Sequence, residues 1–259
     1  MQRSRRSPSV TVAHYTLIEA LRSGLPWLAV ACLLAVLGLA GFLSRVAIVE
    51  ASALQASVAG ALLRACAVFL IAAHVVASVS REANDKGLEL ALALPVSRPA
   101  YYIGKLAGFS CAGTLLAAFF ALPLLAWAHP ADLAAWWLSL AAETALVAAA
   151  ALFFASAMTQ TLAALAAAAG LYLLGRSMAA IQAIASAPQA GDSLPAVAAR
   201  WFVDALALLL PRLDAATRSD WLVYGAPGAG DFAQALGGLG LYFLLLAAAG
   251  LLDFSRRNL

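Results

Sequence analysis

Residues 81–105 read REANDKGLELALALPVSRPAYYIGK, and this stretch divides an otherwise apolar chain. It contains seven charged residues: Arg81, Glu82, Asp85, Lys86, Glu89, Arg98 and Lys105. An apolar run long enough to cross a bilayer lies on each side, and charges between two spanning segments must sit in water. Because four of the seven are basic, the stretch is predicted to face the cytoplasm.

The first part of this stretch, residues 81–98, favours a short helix between two membrane helices. Asn84 or Asp85 can cap it, and Glu89 then lies near the positive end of its dipole. Pro95 ends the helix, and Ser97 with Pro99 suits the start of the next one, because proline is tolerated in a first turn. An ordinary solvated loop is the alternative interpretation.

The composition of the whole chain is that of a membrane protein. Hydrophobic residues make up 64% of the 259 residues, charged residues only 11%, and the mean hydropathy is +0.90. A soluble domain carries about 25% charged residues, so this chain has too little polar surface to cover itself in water. Its length is therefore better divided into membrane spans than into soluble domains.

Six apolar runs have the length that a membrane crossing requires, since a core of roughly 30 Å needs about 20 helical residues. They are residues 25–43, 57–79, 103–127, 133–158, 161–185 and 236–252. We therefore predict an all-α integral membrane protein in which residues 1–259 form a single transmembrane domain.

Two further segments are predicted to be helical without crossing. Residues 11–24 place Leu17, Ile18 and Leu21 on one face, which suits a helix lying in the interface. A signal peptide is disfavoured there, because the apolar run starts late and no small-residue cleavage site follows cleanly. Residues 186–235 form an outer segment, whose apolar face around Trp201 suits an amphipathic helix on the outer leaflet.

The distribution of basic residues predicts the orientation. With both termini in the cytoplasm, ten of the 16 basic residues lie inside, in agreement with the positive-inside rule. The ten are Arg3, Arg5, Arg6, Arg22, Arg81, Lys86, Arg98, Lys105, Arg256 and Arg257.

The order of residues in the charged stretch is similar to a known family. It runs Arg81-Glu82, Asp85-Lys86-Gly87, Glu89, Pro95-Val96-Ser97-Arg98 and Gly104-Lys105. This order resembles the loop after the second membrane helix in permease subunits of ABC-2 type transporters. The family's usual Gly-Thr is Gly87-Leu88 here. The end of the chain, from Leu210-Pro211-Arg212 to Arg256-Arg257, is also similar.

The resemblance implies a coupling helix that docks on a separate ATP-hydrolysing subunit. The implied docking residues are Arg81, Glu82, Asp85, Lys86, Gly87, Glu89, Pro95, Ser97 and Arg98. It also implies the bacterial inner membrane, a second permease copy or a related permease, and export driven by ATP bound to the partner. Residues 186–235 would then form a re-entrant or gating helix pair. Membrane lipid and a periplasmic protein are further expected partners, and nucleic acid is not.

The sequence carries no motif for catalysis or cofactor binding. Gly104-Lys105 is followed by Leu106 and has Pro99 where a phosphate-binding loop needs its first glycine, so this chain must borrow its energy. The motifs of zinc proteases and serine hydrolases are missing, so we expect no enzyme activity, no metal and no cofactor. Cys32, Cys66 and Cys111 are read as small core residues.

Three charged residues fall inside predicted spans: Arg64, Glu143 and Arg176. A charge in lipid is costly and needs a partner. The fourth and fifth spans are joined by a tight turn, and Glu143 and Arg176 are equally far from it, so they lie at one depth. We predict that Glu143 pairs with Arg176 or, failing that, with Arg64. A structural role for these charges is favoured over contact with a substrate.

Two other functions remain open from the sequence. A complex of the same build could transmit force to an outer protein without moving a solute, and a periplasmic partner on residues 186–235 would favour this. An integral membrane enzyme would need a cluster of titratable side chains at one interface, which the sequence does not provide.

Overall fold

The computed structural model describes residues 7–46, 51–85, 97–186 and 194–256, and within these ranges the chain contains helices and no strand. Ten α-helices follow one another there: α1 (Pro8–Arg22), α2 (Leu25–Val46), α3 (Ala51–Asn84), α4 (Arg98–Ala121), α5 (Pro130–Ala157), α6 (Thr161–Ala185), α7 (Leu194–Leu209), α8 (Leu213–Ala216), α9 (Trp221–Tyr224) and α10 (Ala229–Arg256). A 3₁₀ helix over Leu122–Ala126 extends α4.

Six of these helices are long and apolar enough to cross a membrane: α2, α3, α4 with its extension, α5, α6 and α10. They correspond in order to the six predicted spans, so the prediction of an all-α chain with six such helices is confirmed. The observed helices are longer than the apolar runs. α3 covers Ala51–Asn84 instead of residues 57–79, and α10 begins at Ala229 instead of residue 236. Helical hydrogen bonding does not stop where the apolar residues stop.

The prolines of the described helices fall at helix ends, where the missing amide is tolerated. Pro99 lies in the first turn of α4, two residues after the N-cap Ser97. Pro123 lies in the first turn of the 3₁₀ extension, where the α-helix has ended. Pro130 begins α5, and the His129 side chain accepts a hydrogen bond from the Ala131 amide at 3.4 Å.

The centre of the bundle is formed by α3 and α5. α5 contacts α3, α4, α6 and α10, whereas α2 packs mainly on α3. The largest fully buried apolar side chains come from α3, α4 and α5: Leu63, Ile71, Phe109, Phe120 and Trp136. α2 and α10 have the smallest buried fractions of the six long helices, so their apolar side chains are left for lipid.

α1 packs tightly against α4 at two glycines one turn apart. A Cβ atom at Gly104 would lie 2.6 Å from Val12 Cβ, and one at Gly108 would lie 2.6 Å from Thr16 Cβ. Small residues of this kind let helix backbones approach closely. The space beside Gly104 and Gly108 is therefore filled by α1 of the same chain.

The packed face of α1 differs from the predicted apolar face. Thr16 and Ala20 are its buried residues, whereas Leu21 is 51% exposed. The small side chains face inward because only they fit against the glycines of α4. Leu17 is half-buried against the core, and Leu21 is left on the outside of the bundle.

Between α6 and α10 the chain turns back beside α6. Gln182 Nε2 donates to Asp204 Oδ1 at 3.1 Å, and Arg200 Nε donates to the Ala185 carbonyl at 3.0 Å. The two pairs run in opposite order along the chain, so α7 is antiparallel to α6. We call residues 194–224 the return segment.

The return segment then packs on the interior of the bundle. A Cβ atom at Gly175 would lie 2.9 Å from the Pro211 carbonyl oxygen, so the end of α7 reaches the level of this glycine. Leu222 of α9 lies against Gly60 of α3. Just beyond the segment, the Ala226 amide donates to Asp132 Oδ1 at 2.7 Å, which ties this end of the bundle together.

Candidate functional site

The interior of the bundle contains one ion pair between α3 and α5. Arg64 Nη1 lies 2.5 Å from Glu143 Oε2, and the two side chains are 2% and 0% exposed. Arg64 Nη2 donates to Ser139 Oγ at 2.9 Å, and the guanidinium lies 5.2 Å from the centre of the Trp136 ring. Tyr172 of α6 donates to Glu143 Oε1 at 3.0 Å. Both carboxylate oxygens are therefore occupied, and the pair joins three helices.

The predicted pairing of Glu143 with Arg176 was wrong, and the alternative pairing with Arg64 is the one observed. Arg176 donates to both the carbonyl and the hydroxyl oxygen of Thr217 in the return segment. The side chain of Tyr172, one turn earlier on α6, contacts Glu143 instead. Counting residues from the turn does not give the side of the helix that each side chain uses.

A second polar cluster lies where the charged stretch meets the bundle. Lys105 Nζ of α4 lies 2.8 Å from Glu82 Oε2 of α3 and 3.7 Å from Glu19 Oε2 of α1. Ser78 donates to Glu19 Oε1 at 2.7 Å, and the ammonium lies 5.6 Å from the centre of the Phe109 ring. We call Glu19, Ser78, Glu82 and Lys105 the basal cluster. It ties together the three helices that surround the start and end of the charged stretch.

Four of the nine expected docking residues lie in the helices that flank the stretch or in the turn that follows α3. Arg81 and Glu82 are in the last turn of α3, Asp85 donates its amide to the Arg81 carbonyl at 2.9 Å, and Arg98 begins α4. Ser97 immediately precedes α4. Glu82 points to Lys105 and is 25% exposed, so it holds the bundle together in addition to any external contact.

The remaining docking residues, Lys86, Gly87, Glu89 and Pro95, lie outside the described residues, and so does the short helix expected there. The described residues on either side bring the start and end of the stretch together. The Glu82–Lys105 contact joins α3 to α4 across it.

A cleft of about 210 Å³ opens beside the basal cluster. Its walls include Tyr101, Tyr102 and Lys105 of α4 and Phe254 of α10. The rings of Tyr101 and Phe254 are stacked with centroids 6.0 Å apart. Gly250 of α10 lies directly against the Tyr102 hydroxyl, so α10 can approach α4 this closely only because residue 250 has no side chain.

Within the described ranges, no group of three or more histidine, cysteine or acidic side chains is placed to hold a metal ion. Cys32, Cys66 and Cys111 are free thiols there. The polar groups that the fold brings together are thus ion pairs and hydrogen bonds between helices.

The chain matches no protein-family model and no curated protein.

Replacing Lys105 with methionine should destabilise the protein more than replacing Glu82 with glutamine. Lys105 lies between two carboxylates, and its loss leaves Glu82 and Glu19 without the cation that they share. We expect a loss of about 2 kcal/mol for Lys105→Met and about 1 kcal/mol for Glu82→Gln. Thermal unfolding in detergent shows which of the two variants is destabilised more. Arg218→Gln is the control, since Arg218 pairs with Asp220 far from the cluster. An equal effect of all three changes would contradict the interpretation.

Proposed function

We propose that this chain is the membrane-spanning permease subunit of an ABC-2 type exporter, energised by a separate ATP-binding subunit. The observation that supports this most is the charged stretch at residues 81–105. Its residue order resembles the family's loop, and it joins two helices of spanning length, α3 and α4. A chain with no phosphate-binding loop must obtain its energy from another subunit.

The basal cluster gives the charged stretch a means of moving the bundle. Lys105 contacts α3 through Glu82 and α1 through Glu19, so a push on the stretch acts on three helices at once. α1 is also fixed to α4 at Gly104 and Gly108. In the proposed permease, closure of the ATP-binding subunits moves α1, α3 and α4 as one unit.

The orientation of the proposed permease follows from charge. The end of the bundle with the basal cluster faces the cytoplasm of a bacterial inner membrane, because basic residues concentrate there. Two copies, or one copy with a related permease, pair with two ATP-binding subunits.

The return segment then lies on the outer side as a re-entrant cap. Arg176 bonds Thr217 nine positions before the end of α6, which is about 14 Å along that helix. A segment that reaches this depth and then returns closes the outer mouth of the bundle. Rearrangement of this cap is the outer half of the proposed transport cycle.

Reversing the charge of Glu89 should separate the chain from its ATP-binding subunit. An acidic residue on a docking helix meets complementary charge on its partner, and reversal turns that attraction into repulsion. We expect Glu89→Lys to lower the yield of co-purified ATP-binding subunit at least about tenfold. The measurement is affinity purification of the tagged chain from native membranes, followed by ATP hydrolysis of the eluate.

Glu89 is a sharper test than Glu82, because reversal of Glu82 would also break its contact with Lys105. Arg218→Gln, at the other end of the bundle, should co-purify the ATP-binding subunit like the unchanged protein. An undiminished yield with Glu89→Lys would reject the docking contact. If the unchanged chain retains no ATP-binding subunit at all, the proposed function itself is wrong.

A further inference from the structure

A cavity of about 590 Å³ lies between the return segment and α10, away from both clusters. Ligand pockets are commonly about 300–1,000 Å³, so this volume is enough for a small molecule or part of a lipid. Leu208 and Ala207 of α7 form one wall, and Gly238 and Leu239 of α10 form the other. The Tyr242 hydroxyl donates to the Leu208 carbonyl at 2.7 Å and bridges the two helices.

The cavity is elongated along α10. Asp231 lies in the first turn of this helix, and Tyr242 lies 11 residues later, which is about 16 Å along the axis. On the α10 wall, the polar side chains of Asp231 and Gln234 lie at the outer end, and Ala235, Gly238 and Leu239 follow towards Tyr242. The lining is therefore amphipathic along its length.

Two side chains of opposite charge, Arg212 and Asp231, line this cavity. Arg212 and Asp231 both border it, yet in the described part of the chain they form no ion pair with one another or with any other side chain. Arg212 follows Pro211, which lies level with Gly175, ten residues before the end of α6. That places the Pro211 backbone about 15 Å below the end of the helix, and the exposed Arg212 side chain extends from there into the cavity. A charge within a membrane is costly unless it faces a partner or a polar cavity.

We propose that this cavity binds a phospholipid with a zwitterionic headgroup, phosphatidylethanolamine. The phosphate accepts hydrogen bonds from the Arg212 guanidinium, and the ammonium group donates to Asp231 and to the side-chain oxygen of Gln234. An acyl chain lies along the wall formed by Leu208, Gly238 and Leu239. One bound molecule thus supplies both missing partners, because its two charges match the two separated charges of the protein.

The charge balance decides between headgroups. An anionic headgroup, such as that of phosphatidylglycerol, would satisfy Arg212 but leave Asp231 beside a phosphate with no cation. A zwitterionic headgroup satisfies both side chains. The site requires only that the chain be embedded in a membrane, so it does not depend on the proposed transport function.

Native mass spectrometry of the full-length purified chain, titrated with phosphatidylethanolamine or phosphatidylglycerol, tests the site. The unchanged protein should bind phosphatidylethanolamine more tightly. Arg212→Gln should weaken binding of both lipids about tenfold, as expected for the loss of a charge-assisted hydrogen bond. Asp231→Asn should weaken only phosphatidylethanolamine binding and thereby remove the preference. Arg218→Gln should change neither.

Both residues are exposed, so the variants should fold, and thermal unfolding checks this. Arg212→Lys retains the cation and should keep most of the binding. Two results would overturn the proposal: equal affinity of the unchanged protein for both lipids, or unchanged phosphatidylethanolamine binding in Arg212→Gln. If a second copy of the chain fills the cavity instead, the dimer will bind neither lipid there, which also rejects the proposal.

Discussion

Replacing Glu143 with leucine should lower the free energy of unfolding by about 3–5 kcal/mol, because it leaves the Arg64 guanidinium buried without a counter-ion. Arg64→Leu should cost a similar amount, since Glu143 would keep only Tyr172 as a partner. The double variant Arg64→Leu/Glu143→Leu should be more stable than either single variant. Removing both charges also removes the desolvation penalty that each imposes alone.

Thermal unfolding of the purified variants in one detergent measures this cycle. Arg218→Leu serves as the matched control, because it breaks an ion pair that is 57% and 38% exposed on its two sides. Exposed pairs contribute about 0–1 kcal/mol, so this control should unfold almost like the unchanged protein. If the double variant loses as much free energy of unfolding as the two single variants together, the two side chains act independently and the interpretation is wrong.

Introducing valine at Gly104 and Gly108 should release α1 from α4. Even a Cβ atom at these positions would lie 2.6 Å from Val12 Cβ and Thr16 Cβ, and backbone oxygens of α1 lie almost as close. Neither helix can yield without moving as a whole. Overpacking of this kind costs about 1–3 kcal/mol per site, so the pair of changes should undock α1.

Cysteine labelling reports the position of α1 directly. Thr16 is 2% exposed, and cysteine is close to it in size. In a chain whose three native cysteines are alanine, Thr16→Cys should resist a maleimide and become reactive once both valines are present. Valine at Gly41, where nothing lies within 4 Å of the added Cβ, is the control. Equal labelling with and without the valines would show that α1 is not held by these contacts.

The six long helices could be predicted from the sequence because their signal is local. A run of apolar residues of sufficient length needs no knowledge of its neighbours. Their ends were less predictable. α3 continues to Asn84 through Ser80, Arg81 and Glu82, residues that hydropathy assigns to a loop. These residues remain helical because the helix continues its backbone hydrogen bonds. Their side chains contact water or the other residues of the basal cluster.

The partner of Glu143 illustrates what sequence spacing leaves out. Spacing from the turn predicted one depth for Glu143 and Arg176, but the residue of α6 that contacts Glu143 is Tyr172, one turn before Arg176. The choice depends on the rotation of α6, which directs Tyr172 to Glu143 and Arg176 to Thr217. That rotation depends in turn on the return segment, whose path beside α6 has no local pattern. The basal cluster was missed for a similar reason: Glu19, Glu82 and Lys105 are distant in sequence and meet only when α1 packs on α4.

The length of α3 has a mechanical consequence. Its 34 residues measure about 51 Å, against a hydrocarbon core of roughly 30 Å, and no proline interrupts them. The buried Arg64–Glu143 pair ties this helix to α5, with about 30 Å of helix from there to Asn84 and about 20 Å to Ala51. Were α3 to rotate about this pair, its two arms would be unequal. A rotation of about ten degrees about that point moves the Asn84 tip by roughly 5 Å and the Ala51 tip by roughly 3 Å in the opposite direction.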